Sequence, residues 1–468
     1  MGAGYVGGPT MAVIASNCPD VQVTVVDIND NQISKWNDDN LKNLPVFEPG
    51  LAELVERTRF KNLHFSTNIE ESIKKADMVF ISVNTPTKKK GIGAGNASDL
   101  RWIESSARLV NRYAQGYTIV VEKSTVPVKT AAAIEVILKS ISSDLNELEN
   151  HKSFDVLSNP EFLAEGSAIK DLQQPDRVLI GGHKKSAIEA LEKLYLKWVP
   201  GEKIIKTNLW SSELSKLTAN AFLAQRVSSI NAISQLCEVT GADVQEVAKA
   251  IGKDSRIGSR FLNSGPGFGG SCFKKDILNL VYLCNHFGLS EVANYWEQVI
   301  SINQHQQNRI YRVIVNKLFD NLSEKKIAIL GFAFKANTND TRESPAIEIC
   351  QKLLEEGAVL AIHDPKVSEL KISQDLGKKP YISRDNKLKS NMNGVWSYAK
   401  DIEESLISAD AALILCEWDI YRKVDWNQMS KIMRSPSWLF DTRNIVDEYS
   451  VDRTKINLWK VGKGNLNE

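Results

Sequence analysis

Short apolar runs alternate with longer amphipathic segments in the N-terminal part of the chain. The run from Val21 to Val26 ends at Asp27, and the run from Met78 to Val83 ends at Asn84. Segments such as Leu100 to Tyr113 have the length and periodicity of helices between them. Apolar strands that alternate with helices predict a parallel, doubly wound sheet.

The C-terminal part repeats this pattern. The run from Lys326 to Leu330 leads into Gly331, and the run from Val359 to Ile362 is followed closely by Asp364. The sequence therefore predicts an α/β fold with two Rossmann-like domains, the second without the full glycine pattern.

A long helical pattern from Trp210 to Val239 separates the two Rossmann-like parts. We expect an N-terminal domain over 1–207, a central helical region over 208–322 and a C-terminal domain over 323–468. The length of the central helices suits a subunit interface, so a homo-oligomer is predicted.

Composition narrows the class of protein. The 468 residues are 43% hydrophobic and 25% charged with a net charge of +1, which is typical of a soluble globular enzyme. This balance gives no bulk attraction to nucleic acid or anionic membrane, and no apolar run has the length of a membrane span. The six cysteines lack metal-ligand spacing, so no metal site is expected, and with no visible signal peptide they read as reduced cytoplasmic thiols.

The first residues carry a dinucleotide-binding glycine pattern. Asp27 follows it by twenty residues at the end of a predicted strand, where an acid binds the ribose 2′-OH of NAD and repels the 2′-phosphate of NADP. An ordinary glycine-rich turn is the alternative. The pattern consists of Gly2, Ala3, Gly4, Tyr5, Val6 and Gly7.

One cysteine has the setting of a nucleophile. Cys272 follows Gly269 and Gly270, precedes Lys275 and Asp276, and stands where an apolar helical pattern begins. A thiol beside a helix N-terminus and a lysine is expected to have a lowered pKa and to attack carbonyl carbon. Most cysteines are buried apolar groups, which is the alternative. A reactive thiol together with a nicotinamide site suggests oxidation through an aldehyde to an acid.

Other candidates follow predicted strands. The segments Asn84-Thr85-Pro86-Thr87 and Ser124-Thr125-Val126-Pro127 are ligand-binding loops or simple turns. The segment that contains Glu161 and Glu165 supplies a base or is a solvated loop.

Charged residues elsewhere in the chain are also candidates for a functional role. Lys216 shares a helix face with Asn220 and is a buried functional group or a solvated charge. Lys335 and Arg342 follow the second glycine turn and could bind phosphates.

Eight stretches together resemble the UDP-glucose/GDP-mannose dehydrogenase family over nearly the whole chain, and the stretch through Arg226 is similar to animal-type members. They are Gly2 to Thr10, Phe80 to Thr87, Val121 to Val128, Leu157 to Gly166, Trp210 to Arg226, Gly267 to Asp276, Gly331 to Glu343, and Glu417-Trp418-Asp419.

The resemblance implies oxidation of the C6 hydroxyl of UDP-glucose to a carboxylate, with two NAD⁺ and water. Cys272 would form a thiohemiacetal and then a thioester, and Glu161 would act in acid/base steps. Thr125 would help to place water, and Lys216 and Asp276, with Asn220, would act near C6. It also implies a cytoplasmic homo-oligomer, hexameric and built from dimers.

The resemblance assigns the ligand contacts too. NAD would contact Gly2 to Gly7, Asp27, Gln32, Val83, Asn84, Thr85, Pro86, Thr87, Ser124, Thr125, Glu165 and Arg342. The nucleotide sugar would contact Glu161, Phe162, Leu163, Ala164, Glu165, Lys216, Asn220, Arg256, Asn263, Gly267, Phe268, Gly269, Lys335 and Arg443.

The chain departs from the family in several places, which include a few extra residues between Trp36 and Pro45. Met1 directly precedes Gly2, so the first Rossmann strand is expected to be absent and NAD binding or folding to suffer. Gln32 and Asn263 stand where animal members carry an arginine and a lysine.

Related functions remain open at this stage. A dehydrogenase for GDP-mannose or a UDP-N-acetylhexosamine would share the thiol site, whereas a two-electron hydroxyacid dehydrogenase would not need Cys272. A further alternative is not an enzyme at all: it is a catalytically inactive subunit that binds a nucleotide sugar.

Overall fold

The computed structural model describes residues 1–140, 152–381 and 394–464. It divides into two compact units. The first contains Met1–Ala219 and Leu278–Leu289, and the second contains Asn220–Ile277 and Ser290–Glu468. These boundaries fall inside the predicted central region, so the three-domain division stays a prediction.

The first unit has two sheets. Strands β1 and β2 pair in parallel, and β3 to β7 form a five-stranded sheet in chain order, parallel except between β5 and β6. The strands are β1 Val23–Val26, β2 Leu63–Ser66, β3 Met78–Ile81, β4 Tyr117–Glu122, β5 Ser153–Ser158, β6 Val178–Gly182 and β7 Ile204–Thr207. The α-helices that lie wholly within the first unit are α1 Gly7–Asn17, α2 Asp30–Asn37, α3 Leu51–Thr58, α4 Ile69–Lys74, α5 Arg101–Tyr113, α6 Thr130–Lys139, α7 Ala168–Gln173 and α8 Lys185–Tyr195.

Met1 and Gly2 connect the two sheets of this unit. The Gly2 amide donates to Val26 O at 2.8 Å, at the end of β1. The Met1 amino group donates to Phe80 O at 2.7 Å, and the Ser82 amide donates to Met1 O at 2.9 Å, at the end of β3. A strand before Gly2 would therefore run between β1 and β3, which is the central position that the sequence predicts for it.

Apolar cores cover both faces of the five-stranded sheet. Val79 and Ile81 of β3 pack into one core, whereas Phe80, between them, packs into the other. Strand β4 alternates in the same way, because successive side chains point to opposite faces of a sheet. Burial on both faces explains why these strands are continuous apolar runs.

The second unit contains a six-stranded parallel sheet in the order β10-β9-β8-β11-β12-β13, the order of a Rossmann fold. Its strands are β8 Lys326–Leu330, β9 Val359–His363, β10 Val395–Tyr398, β11 Ala411–Ile414, β12 Ser437–Asp441 and β13 Ile456–Lys460. The remaining α-helices of the described residues are α9 Leu209–Thr240, α10 Val244–Gly252, α11 Phe273–His286, α12 Ser290–Lys317, α13 Pro345–Glu355, α14 Glu369–Leu376, α15 Ile402–Leu406, α16 Asp419–Arg422, α17 Trp426–Met429 and α18 Glu448–Asp452.

The predicted fold class is confirmed: both units contain parallel α/β sheets, and long helices lie between them in the chain. The predicted helix from Trp210 to Val239 is α9, which is one residue longer at each end. Across the described ranges, no helix is both long enough and apolar enough to cross a membrane.

Candidate active site

The glycine pattern forms a turn that three side chains hold in place. The Ala3 amide donates to Asp27 Oδ2 at 2.8 Å, so the acid that the sequence singled out contacts the turn directly. The Ala3 carbonyl accepts from Gln32 Nε2 and from Trp36 Nε1, both at 2.9 Å. Trp36 was missed from the sequence, where it reads as an ordinary helical apolar residue.

The turn has the shape that a dinucleotide requires. A Cβ on Gly7 would lie 1.9 Å from Gly2 O, and one on Gly8 would lie 2.2 Å from the Trp36 ring, so α1 packs closely on the turn. A Cβ on Gly4, in contrast, would meet nothing within 4 Å. Val6, at the N-cap of α1, makes no side-chain capping hydrogen bond. Open space beside the N-terminus of a helix suits a pyrophosphate, so these residues fit NAD.

The predicted loops after β3 and β4 contact each other. Thr85 Oγ1 donates to Thr125 O at 2.8 Å, and Ser124 Oγ donates to Val83 O at 2.8 Å. Both loops follow the carboxyl ends of adjacent parallel strands, where ligands bind in such sheets. The structure thus brings these two groups of predicted cofactor residues together.

A buried ion pair lies beside these loops. Lys216 Nζ is 3.1 Å from Glu161 Oε1, and both side chains are buried. Glu161 also accepts from Leu163 N at 2.8 Å and from Thr125 Oγ1 at 3.4 Å. Burial acts to raise the pKa of Glu161, but the charge of Lys216 and the Leu163 amide outweigh it, and the pKa is lowered. Glu161 is therefore a carboxylate at neutral pH.

The aromatic ring next to Glu161 contacts two cations. The Arg177 guanidinium lies 3.8 Å from the centre of the Phe162 ring, and Lys216 Nζ lies 5.5 Å from it. The quadrupole of the ring favours cations on its face. Sequence reasoning gave no role to Arg177, because cation–aromatic pairs have no fixed spacing along the chain.

A second buried carboxylate holds the segment that carries Glu165. Glu48 accepts from Gly166 N at 2.8 Å and from Ala168 N at 3.1 Å, at the start of α7. The sequence analysis missed Glu48, which is more than a hundred residues away in the chain.

Cys272 precedes the first residue of α11 in the second unit, as the sequence predicted. The Asp276 amide donates to Cys272 O at 2.8 Å and closes the first helical turn. Ser271 Oγ lies 3.5 Å from Cys272 Sγ. Cys272 is partly exposed, whereas the other five cysteines are buried.

Asp276 anchors this turn. Asn220 Nδ2 donates to Asp276 Oδ2 at 2.6 Å, and Lys275 Nζ lies 3.5 Å from Asp276 Oδ1. Asp276 and Asn220 are both buried. Three predicted catalytic residues, including Cys272, thus cluster in the second unit, while Glu161, Lys216 and Thr125 cluster in the first.

Amide side chains of α9 and α12 shape the predicted substrate loop. Asn303 Oδ1 accepts from Phe268 N at 2.8 Å, and Asn303 Nδ2 donates to Phe268 O at 3.1 Å. Gly267 has a φ of +118°, and a Cβ there would lie 2.7 Å from Asn303 Oδ1. Asn231 and Gln306 bind the Gly265 backbone in the same manner, each at 2.8 Å. These amides were missed because polar residues in helices usually face solvent.

Arg443 lies against the same loop. A Cβ on Gly265 would be 3.3 Å from a terminal nitrogen of Arg443. Its guanidinium donates to Leu415 O at 2.8 Å and to Phe334 O at 3.2 Å, and Nε is 3.1 Å from Glu417 Oε2.

The other predicted ligand residues of this unit are more exposed. Lys335 Nζ lies 5.5 Å from the centre of the ring of its neighbour Phe334. Arg342 pairs with Asp340 at 2.7 Å, and the exposed Arg256 pairs with Asp254 at 2.6 Å. Asn263 is exposed at the start of the loop.

The glycine turn of the second unit differs from that of the first. Asp364 Oδ2 accepts from both Phe332 N at 2.7 Å and Ala333 N at 3.0 Å, and a Cβ on Gly331 would lie 2.3 Å from Cys416 Cβ. The acid after β9 thus accepts from two amides of its turn, whereas Asp27 accepts from one amide of the first turn.

Three family models match consecutive parts of the chain. They describe the NAD binding domain, the central domain and the UDP binding domain of the UDP-glucose/GDP-mannose dehydrogenase family, at residues 1–199, 210–305 and 328–448.

Known proteins are similar over the full length. The chain is 52% identical to UDP-glucose 6-dehydrogenase 2 of Oryza sativa subsp. japonica, over 99% of this chain and 96% of the rice protein. It is 54% identical to the UDP-glucose 6-dehydrogenase of Bos taurus, over 96% of this chain and 88% of the bovine protein. The solved UDP-glucose dehydrogenase of Pyrobaculum islandicum aligns with a TM-score of 0.81 at 28% identity, over 99% of this chain and 96% of that one. By this similarity along its whole length, the chain belongs to the UDP-glucose/GDP-mannose dehydrogenase family.

Proposed function

We propose that the chain oxidises the C6 hydroxyl of UDP-glucose to the carboxylate of UDP-glucuronate, with two NAD⁺ and one water consumed per substrate. The observation that carries the proposal is the partly exposed Cys272 at the start of α11, next to the buried pair Asn220–Asp276. The similarity to curated UDP-glucose 6-dehydrogenases of plants and cattle supports the choice of sugar.

NAD would be held by the turn from Gly2 to Gly7. Asp27 and Gln32 would contact its adenosine part, and the loops that contain Val83 and Ser124 would contact the rest of the cofactor. When bound, NAD⁺ accepts an electron pair in each of two oxidations. The N-terminus of α1 would supply backbone donors to the pyrophosphate.

Cys272 supplies the covalent step. Its sulfur bonds to the aldehyde carbon of the half-oxidised sugar and gives a thiohemiacetal. Loss of a hydride from the carbon and of a proton from the hydroxyl group converts that adduct to a thioester, and water then cleaves the carbon–sulfur bond to leave the acid and the free thiol. The sulfur is at the N-terminal end of α11, where the helix dipole favours the thiolate.

The other polar groups fix geometry and charge. Lys216 provides a positive charge for a developing oxyanion on the substrate oxygen. Glu161 holds that lysine and, because its pKa is lowered, acts as a hydrogen-bond acceptor or weak base rather than as an acid. Thr125 contributes a hydroxyl for a water, and Asn220 orients Asp276.

The nucleotide end of the substrate would bind in the second unit. Arg443 and Lys335 offer positive charge to the diphosphate, and the loop from Asn263 to Gly269 offers backbone groups to the base and sugar. Arg256 is highly exposed, with 87% of its side chain accessible.

The stoichiometry of product formation tests the proposal. We expect two NADH per UDP-glucose consumed, and little turnover of GDP-mannose or UDP-N-acetylhexosamines. One NADH per substrate indicates a two-electron dehydrogenase, and none with retained UDP-glucose binding indicates an inactive binding subunit. Efficient turnover of another nucleotide sugar would contradict the choice of UDP-glucose as the substrate, but it would not contradict the thiol chemistry.

We also propose a cytoplasmic homo-oligomer, with dimers paired through the central helices and assembled into hexamers. Large apolar side chains on α9 and α12 are exposed in the single chain, and they include Phe222, Leu236, Val239 and Tyr295. Exposed apolar surface of this kind marks protein contacts. Light scattering after size exclusion measures the assembly, and a monomer at micromolar concentration contradicts the proposal.

A further inference from the structure

Asn444 connects the predicted substrate loop, residues 263–269, to the chain that follows β13. Its Nδ2 donates to Ser264 Oγ at 3.2 Å and to Val461 O at 3.0 Å. Its carbonyl oxygen accepts from Gln245 Nε2 at 3.3 Å. Ser264 and Val461 are both buried, so one amide group joins two buried parts of the second unit.

The backbone of Asn444 also distinguishes it. Its φ of +54° lies in the left-handed region, which asparagine adopts more readily than most other residues with a side chain. The residue directly before it is Arg443, whose guanidinium lies against Gly265 of the same loop. Asn444 thus combines a left-handed backbone next to the predicted diphosphate contact with a side chain that donates twice. Glycine at this position would keep the first property and remove the second.

The 461–464 segment, to which Asn444 is bonded, is itself fixed to the start of α10. The Val244 amide donates to Gly462 O at 2.9 Å, and the Gly464 amide donates to Ala242 O at 3.0 Å. A Cβ on Gly462 would lie 2.3 Å from Val244 Cγ1, so the segment packs closely on the first residue of the helix. The segment is therefore a firm support for Asn444.

Side chains of α9 and α12 connect the same segment to the loop a second time. Glu238 accepts from Gly462 N with Oε1 at 2.7 Å and from Arg309 Nη1 with Oε2 at 2.6 Å. Arg309 Nε donates to Gln306 Oε1 at 3.1 Å, and Gln306 Nε2 donates to Gly265 O at 2.8 Å. Two adjacent residues of the loop are thus held from one segment.

We propose that Asn444 is a positioning residue for nucleotide-sugar binding, which holds the substrate loop in the conformation that receives the nucleotide, with the 461–464 segment as its support. A loop that is ordered before its ligand arrives avoids the entropy cost of ordering on binding. Loss of the Asn444 side chain should therefore weaken the binding of a nucleoside diphosphate. The role in ligand binding rests on the proposed function, whereas the effect on the order of the loop does not.

Hydrogen exchange in the ligand-free full chain tests the loop directly. We expect the amides of the peptide that spans 262–270 to exchange about threefold or more faster in Asn444→Gly than in the wild type. Ser264→Ala removes the other partner of the same hydrogen bond and should give an increase of similar size. Unchanged exchange in either variant overturns the proposal, whatever the affinity of that variant for nucleotides.

Calorimetric titration with UDP tests the consequence for binding. We expect the Kd for UDP to rise about tenfold in Asn444→Gly, as the loss of one hydrogen bond implies. The double variant Asn444→Gly with Ser264→Ala should bind UDP about as weakly as Asn444→Gly alone, because both substitutions remove the same contact. Losses that simply add would show that the two residues act separately, and they overturn the proposal.

Steady-state kinetics separate positioning of the substrate from an effect on the chemistry. The KM for UDP-glucose should rise by a similar factor in Asn444→Gly, with kcat within about twofold of the wild type, because the lost interaction contributes equally to ground-state and transition-state binding. Cys272 keeps its place, since its carbonyl is bonded to Asp276 N in the first turn of α11. A lower kcat with an unchanged KM overturns the proposal.

The matched control is Asp320→Gly. Asp320 also has a left-handed backbone, with a φ of +53°, and it is exposed shortly after the end of α12. The variant should equal the wild type in its Kd for UDP and in exchange over 262–270, and an equal loss in both variants overturns the proposal. A wild-type chain that binds no UDP, with faster loop exchange in Asn444→Gly, contradicts the proposed function and with it the ligand-binding role, but not the ordering of the loop by Asn444.

Discussion

Lys216 Nζ lies 3.1 Å from Glu161 Oε1, and the two side chains are buried together. A buried pair of this kind is costly to break, because removing one partner leaves the other charge without compensation. The pair therefore supports the loop geometry of the first unit as well as any chemistry that it performs.

Single substitutions in this pair should destabilise the protein more than the double substitution does. We expect Lys216→Met alone to lower the free energy of unfolding by about 3–5 kcal/mol, and Lys216→Met with Glu161→Gln to recover part of that loss. Denaturant unfolding measures it. Strictly additive losses would show that the two side chains do not interact in solution.

Replacement of Cys272 by serine should abolish turnover and leave UDP-glucose binding largely intact. A serine hydroxyl at this position lacks the acidity and nucleophilicity of the thiol, so kcat should fall on the order of a thousandfold or more. The control is Cys350→Ala, which removes a thiol buried in the second unit. If the Cys272→Ser variant released UDP-glucuronate at near the wild-type rate, Cys272 would have no catalytic role.

Asp27 should select NAD over NADP. Its carboxylate is already fixed by Ala3 N and Asn29 N, at 2.8 and 3.0 Å, so it cannot turn away from a 2′-phosphate without losing these bonds. We expect kcat/KM to favour NAD by about a hundredfold or more, as like-charge repulsion of several kcal/mol implies. Asp27→Asn should reduce that preference. Equal kcat/KM with NAD and NADP in the wild type would contradict the role of Asp27 in cofactor selection.

Glu213 should make the protein less stable as pH rises. Its pKa is about 7 in the folded chain and near 4.5 when unfolded, so the folded state holds the extra proton between these values. The resulting stability is complete below about pH 4.5 and is lost as pH rises through 7, by up to about 3 kcal/mol. The difference in unfolding free energy between wild type and Glu213→Gln should change by that amount from pH 5 to 8. A difference that is constant with pH contradicts the raised pKa.

A strand before Gly2 should strengthen NAD binding. The edges of β1 and β3 that face each other are bridged by Met1 and Gly2 at one end, and a strand there would pair with both. We expect a chain with about six to ten added residues of β-branched strand pattern before Gly2 to melt at a higher temperature and bind NAD more tightly than one that starts at Met1. Equal melting temperatures and affinities for the two chains contradict this reading.

The sequence predicted those parts of the fold and site that depend on local pattern. Alternating apolar runs predicted the parallel sheets because strands such as β3 and β4 are buried on both faces, and the glycine spacing located the turn that Asp27 contacts. Cys272 could be identified because a thiol, glycines and a helix start are adjacent in the chain.

The groups that sequence reasoning missed act across long separations. Glu48 and Glu213 each satisfy amides at the start of a helix far away in the chain, and Asn303 shapes the loop at Gly267 from α12. Each reads in the sequence as an ordinary polar residue. Their roles arise from burial, which forces every buried donor and acceptor to find a partner.

The glycines at and just before the start of α1 have two separate roles. Gly7 and Gly8 leave no room for a side chain against Gly2 and Trp36, whereas Gly4 faces open space. A descendant of this chain that stopped using NAD would still need Gly7 and Gly8 to fold, but its Gly4 could drift. Among such descendants, the residue at position 4 is thus the better indicator of a lost activity.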